Sequence, residues 1–268
     1  MDKPKLILVG DEWTQGSYID ATTSSDLSVE NSFRKFFSVT NLGFSRQSPQ
    51  QGLDILENYL HSIDLRGQFP RSNITVVFVL GNTFRDFEVP HTGVLDAHKR
   101  SVLNVLDRLV KLSNHRLPRC NTSTADVDVK AGWWIIGGST DIGGLQIEQL
   151  LEQNTESYVP EMVPSWCEFV DPDYTAIPYS NDPDRILTNS SLSPSEHKTI
   201  SAIMHKYSEY KKLHQKGLMS SDFIPTEMMT DVLAEHIHKS SAKRFSDVSY
   251  IGSRGLHTDY SKQHYIKK

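Results

Sequence analysis

The chain has 268 residues, 37% hydrophobic and 23% charged, a balance that suits one large α/β domain with a sizeable core. Its 33 acidic residues outnumber its 28 lysines and arginines, and the formal net charge of −5 gives no footing to an electrostatic nucleic-acid binder. Two cysteines, Cys120 and Cys167, are too few for a disulfide scaffold, and neither lies in a C-x-x-C pair.

Met1–Lys5 precedes only four aliphatic residues, too short a run for a secretory leader. The expectation is a cytoplasmic protein without a membrane span. Leu6-Ile7-Leu8-Val9 reads as a buried strand of a parallel sheet, stopped by Gly10. Ligands in such sheets sit beyond the carboxyl ends of strands, where Asp11, Glu12, Thr14 and Gln15 project. A polar loop then leads to a helix capped by Ser28, with Phe33, Phe36 and Phe37 at near-helical spacing. Val39 to Gly43 reads as a second strand. Ser48-Pro49 opens a helix that carries Leu53, Leu56 and Leu60 on one face.

Ile74 to Leu80 is the strongest strand pattern, rich in β-branched residues and ending at Gly81-Asn82. A long amphipathic helix follows from about His91 to Leu112, and Gly132 to Gly138 forms the fourth strand. Within it Trp133 and Trp134 point to opposite faces, one into the core and the other against a helix or an interface. Leu145 to Gln153 suits a short helix, and Val159 to Asn189 reads as an irregular, aromatic excursion over the sheet. Ser193-Pro194-Ser195-Glu196 begins a helix that ends near Gly217, and Thr226 caps another running to Lys239. Val248 to Ile251 is a short strand before Gly255-Leu256-His257-Thr258-Asp259 and a last helix. His236 and His238, two apart on a helix, point to different faces and do not suit one metal.

Four stretches, in order, resemble the sequence blocks of the SGNH (GDSL-type) hydrolases. They are Gly10-Asp11-Glu12-Trp13-Thr14-Gln15-Gly16, Asn41 to Leu53, Leu80-Gly81-Asn82-Thr83 and Gly255-Leu256-His257-Thr258-Asp259. The resemblance implies one domain over residues 1–268, a three-layer α/β/α sandwich with a flavodoxin-like parallel sheet, and an irregular insertion or cap at approximately 140–225. In that family a serine attacks an acyl carbonyl, a histidine takes its proton, and an aspartate three residues earlier orients the ring. A glycine N–H and an asparagine amide help to bind the oxyanion.

Carried over position by position, Asn82 and His257 match, while Glu12 stands at the nucleophile, Arg46 at the glycine and Arg254 at the orienting aspartate. A carboxylate is a poor nucleophile toward ordinary esters, and it puts negative charge where an oxyanion must form. Loss of a triad serine alone removes on the order of a millionfold in turnover. Ser17 and Ser45 are the nearby substitutes by sequence. Glu12 and Arg46 can instead form an ion pair across the old site, closing it or holding a polar ligand with Asp11, Thr14 and Arg254 around it. Glu12 with His257 is a further acid/base couple.

Two functions follow from the resemblance. One is a catalytically silent SGNH-like protein that serves as a binding or structural component, alongside other protein subunits. The other is an active hydrolase of acyl esters, including carbohydrate esters, with altered machinery. Neither implies a metal or a cofactor.

Overall fold

The apolar run at the start of the chain forms β1 (Lys5–Val9), buried on both faces from Leu6 onward. A strand without a wet face has to lie inside a covered sheet. In the computed structural model β1 sits between β2 (Ser38–Asn41) and β3 (Ile74–Val79), parallel to both. β4 (Ala131–Ile136) pairs with β3, and β5 (Glu161–Val163) pairs with β4, again in parallel. The strand order β2-β1-β3-β4-β5 is that of a flavodoxin-like sheet. The residues described are 3–15, 29–44, 47–65, 74–80, 94–115, 131–138, 140–141, 160–174, 177–178, 209–220 and 224–246.

Alternation along the strands sorts the core into two layers. Leu6, Leu8, Val77, Val79, Trp134, Ile136 and Val163 face one side, where Val29 and Phe33 of α1 (Val29–Arg34) meet Met229, Leu233 and Ile237 of α6 (Glu227–Ser246). Ile7, Val9, Val76, Phe78, Trp133 and Ile135 face the other, against α2 (Pro49–Leu65) and α3 (Val94–His115). The expected three-layer α/β/α sandwich is what forms. Trp133 and Trp134 do point apart, but both are core residues at 2% exposure, because helices cover both faces of the sheet.

Several boundaries differ from the sequence pattern for local reasons. α1 is one and a half turns long, and Phe36 and Phe37 lie beyond it; Phe37 is buried, and both rings pack on His238 of α6. Tertiary packing, not helical spacing, places these aromatics. α2 begins where Ser48 and Pro49 predict, with Gln51 N–H donating to Ser48 Oγ and Ser48 N–H donating to Gln51 Oε1. α3 continues past Leu112 to His115, and α6 continues past Lys239 to Ser246. Thr226 starts α6, yet its hydroxyl donates to Gly217 O at 2.8 Å, tying the helix to the turn before it.

The stretch from Val159 opens with regular structure. β5 completes the sheet edge, Ser165 caps α4 (Trp166–Val170) by accepting from Glu168 N–H, and Ile177–Pro178 pairs in parallel with Thr140–Asp141. α5, whose described part is 209–215, ends at Gly217, where φ is +72°. Gly217 N–H donates to His214 O and Leu218 N–H to Leu213 O, the paired bonds of a glycine-terminated helix. The segments assigned by sequence to 145–153, 193–208 and 248–268, and the Ser28 cap, lie outside the described residues. His236 packs on Trp134 and Phe169 while His238 meets Phe36 and Phe37, so the two rings do diverge. Among the described residues no group of His, Cys, Asp and Glu could hold a metal, and no helix is long and apolar enough to cross a membrane.

Cys167 is fully buried in α4, and its thiol is hydrogen-bonded to the Tyr174 hydroxyl. Burial pushes both the thiol and the phenol well above their ordinary ranges. The folded chain therefore keeps protons that the unfolded chain releases. Stability is full below the ordinary thiol range and falls as pH rises above about 8.5. In a Cys120→Ser background, Cys167 should react with a thiol reagent only on unfolding, and Cys167→Ala should flatten the alkaline decline of the urea midpoint. Fast labelling of the native protein at neutral pH would contradict this placement.

Candidate functional site

The chain leaves β1 at Val9 and turns at once through residues 10–15, at the carboxyl edge of the sheet beside the ends of β2 and β3. The Asp11 carboxylate, 6% exposed, accepts the Trp13 N–H at 3.0 Å, the bond of an aspartate turn. Its carbonyl accepts twice from Thr14, from the N–H at 2.9 Å and from the hydroxyl at 3.0 Å. Three of the turn's donors are thereby satisfied within four residues.

Thr14 is wholly buried and wedged between two glycines. A Cβ at Gly10 would lie 2.7 Å from Thr14 Oγ1 and 2.9 Å from the Val79 carbonyl. A Cβ at Gly43 would lie 2.1 Å from the same Oγ1. The hydroxyl's close approach is what both glycines permit. Asn41, the last residue of β2, locks the arrangement: its Nδ2 donates to Thr14 O at 2.6 Å and its Oδ1 accepts from Gly43 N–H at 2.9 Å. The same Nδ2 reaches Glu30 Oε2 at 3.3 Å, and Glu30 in turn pairs with Arg34.

The two residues between Asp11 and Thr14 differ in burial. Trp13 is 0% exposed and enters the core on the α1/α6 face, edge-on to Trp166 at 5.7 Å and tilted against Tyr210 at 6.2 Å. Aromatic contacts of this kind add about 0.5–1.5 kcal/mol beyond burial. Glu12 is half-buried at the sheet's carboxyl edge. A carboxylate is thus held at the head of a turn whose backbone is fixed from below by Asp11, from the side by Asn41 and behind by Trp13.

The entry to α2 borders this turn. Gln47, 3% exposed, accepts from Phe44 N–H through Oε1 at 3.0 Å, while the Phe44 ring is 44% exposed. Of the sequence-predicted site residues, the structure describes Asp11, Glu12 and Thr14, and it brings all three into one turn. Asn82, Arg46, Arg254 and His257 lie outside the described residues, as do Ser17 and Ser45. The predicted Glu12–Arg46 pair therefore has only its carboxylate on view. Sequence reasoning gave no role to Asn41 or Gln47. The only available signal was their place in the stretch after the second strand, which does not say where an amide will reach.

No protein-family model matches the chain, and neither does any curated protein. Among solved structures, the chain resembles the aryl esterase of M. smegmatis, in its inhibitor-bound form with a TM-score of 0.40 and in its native form with 0.39. Each is 11% identical and covers 90% of this chain and 99% of its own. A structure of TesA has a TM-score of 0.32 and 12% identity, covering 78% of this chain and 99% of that one. Likeness at this level assigns no activity. The architecture rests on the sheet's own strand order and register.

The wedge makes a quantitative prediction. Gly43→Ala should cost about 1–3 kcal/mol in urea unfolding, since the new methyl and Thr14 Oγ1 cannot share the space. Thr14→Ala removes that oxygen, so the double variant should be more stable than the sum of the single losses predicts, by about 1 kcal/mol or more. Strict additivity would mean that the two side chains do not meet.

Proposed function

We propose that the chain is an SGNH hydrolase-like protein that binds a ligand at the turn after β1 without hydrolysing it. The observation that carries this reading is Glu12: the turn is built and braced in full, and the residue at the nucleophile's position is a carboxylate. A braced turn with a charged head is a binding feature. The same head is hostile to acyl transfer, because an oxyanion forming beside an ionised carboxylate meets like charge in a partly desolvated place. The sequence adds Arg46 and Arg254 at positions where the resemblance asks for glycine and aspartate, and an arginine cannot accept a histidine N–H. Exchange at positions 12 and 254 removes nucleophile and orienter, whereas Asn82 and His257 alone provide no attacking group.

Short-chain p-nitrophenyl esters test the reading directly. The protein should release p-nitrophenol no faster than its His257→Ala variant, and both should match buffer. Turnover well above buffer that disappears with His257→Ala would overturn the proposal in favour of an active ester hydrolase. Glu12→Ser supplies the missing hydroxyl and should leave the fold unchanged by circular dichroism, since the turn is held by Asp11, Thr14 and Asn41.

A further inference from the structure

α6 is apolar on two sides. Its inner stripe of Met229, Leu233, Ala234 and Ile237 is wholly buried in the core. Its outer side carries Met228, 52% exposed, and Val232, 41% exposed, one turn apart. Among the described residues, Phe44 is the one other large hydrophobic side chain left comparably open. A single exposed apolar residue is ordinary, but these two head a series. Met228, Val232, Glu235, Lys239 and Ala242 are all exposed and follow one another at intervals of four, three, four and three. That spacing keeps one stripe of a helix turned toward a second helix.

Charge is ordered along the same side. Glu227, Asp231 and Glu235 lie in the first half of α6, and Lys239 and Lys243 lie in the second. Lys35, just after α1, offsets one of the three acids. The helix dipole favours acids early and bases late, but it gives no reason for exposed apolar side chains between them. A face of this kind is complementary to itself when reversed. Laid antiparallel on a copy of itself about a two-fold axis level with residue 237, α6 sets Val232 opposite Ala242, Glu235 opposite Lys239 and Asp231 opposite Lys243, each pair made twice. Met228 then lies level with the last turn of the other helix. A parallel arrangement would instead set acids against acids. We propose that the outer face of α6 is a homodimer interface, with two copies of the chain paired antiparallel through Met228, Val232 and Ala242 and joined by reciprocal Glu235–Lys239 ion pairs. Glu235 holds Lys239 of its own chain at 2.7 Å, so dimerisation exchanges one pair for its equivalent. The 20 residues of α6 span about 30 Å, which places the contact among small interfaces, below about 1,200 Å², and makes the dimer reversible.

Sedimentation of the full-length protein over a range of concentrations tests this first. It should show a monomer–dimer equilibrium. Glu235→Lys should weaken the dimer about tenfold, because it sets Lys against Lys at two places, and Lys239→Glu should act likewise. The double exchange Glu235→Lys with Lys239→Glu should restore the parent affinity. All three positions are exposed, so circular dichroism should stay unchanged. Val232→Cys and Ala242→Cys, made on separate chains in a Cys120→Ser background, fix the register. Mixed, they should form a disulfide-linked dimer, whereas Val232→Cys alone should not, since two such residues stand about 15 Å apart along the axis. A monomer at every concentration overturns the proposal. A dimer indifferent to the single charge exchanges, or one that links Val232→Cys to itself, overturns it as well. A monomer whose Val232→Cys thiol resists reagent would mean that another part of the same chain covers this face, and that too overturns the proposal.

Discussion

The placement of Thr14 against two glycines is the constraint on which the rest of the site depends. Its hydroxyl is bonded to the Asp11 carbonyl, its own carbonyl accepts from Asn41, and its oxygen lies too close to Gly10 and Gly43 for either to carry a side chain. One threonine therefore joins the exit of β1 to the exit of β2. The parallel register of these strands, with Leu8 opposite Asn41, delivers Asn41 to the height at which its amide meets the turn. Sheet register and site geometry are the same fact seen at two scales.

The turn is also bound to the far layer. Trp13 leaves the polar edge and packs with Trp166 of α4 and Tyr210 of α5. Trp166 N–H donates to Gly137 O after β4, and its indole N–H reaches Met229 O of α6. The edge strand β5 and the helix after it thus share one packed cluster with the turn. Ion pairs contribute less here: Lys35, just after α1, reaches Glu227 and Asp231 of α6 at the surface, and exposed pairs of this type are worth about 0.2–1 kcal/mol.

How much of this was legible in the sequence depends on the range of the interaction involved. β1 and β3 were plain, because a strand buried on both faces writes itself as a continuous apolar run. The entry to α2 was plain, because Ser48 and Gln51 form a cap within four residues. β5 was not, since three residues of Glu161-Met162-Val163 carry no periodicity and gain their strand character from the β4 edge. The extension of α6 past Lys239 likewise depends on packing, with Ser241 buried at 3% exposure. Asp11, Glu12 and Thr14 could be placed in one turn from sequence alone. The reach of the Asn41 and Gln47 amides could not, because it is set by register and by the space at Gly43 and Gly52.

Fold and chemistry are separable at this turn, and that separation explains how a carboxylate can stand where the resemblance places a serine. The bonds that fix the backbone are made by Asp11, Thr14 and Asn41. The hydrophobic anchor is Trp13. Residue 12 lies between these supports and can change its side chain while they persist. A protein with this arrangement can lose an attacking group without losing the platform that presented it, and the platform then offers whatever the new side chain can hold. An ionised glutamate carries acceptors only, whereas a serine hydroxyl also donates, so exchange at this position changes the chemistry of the edge while leaving its backbone in place.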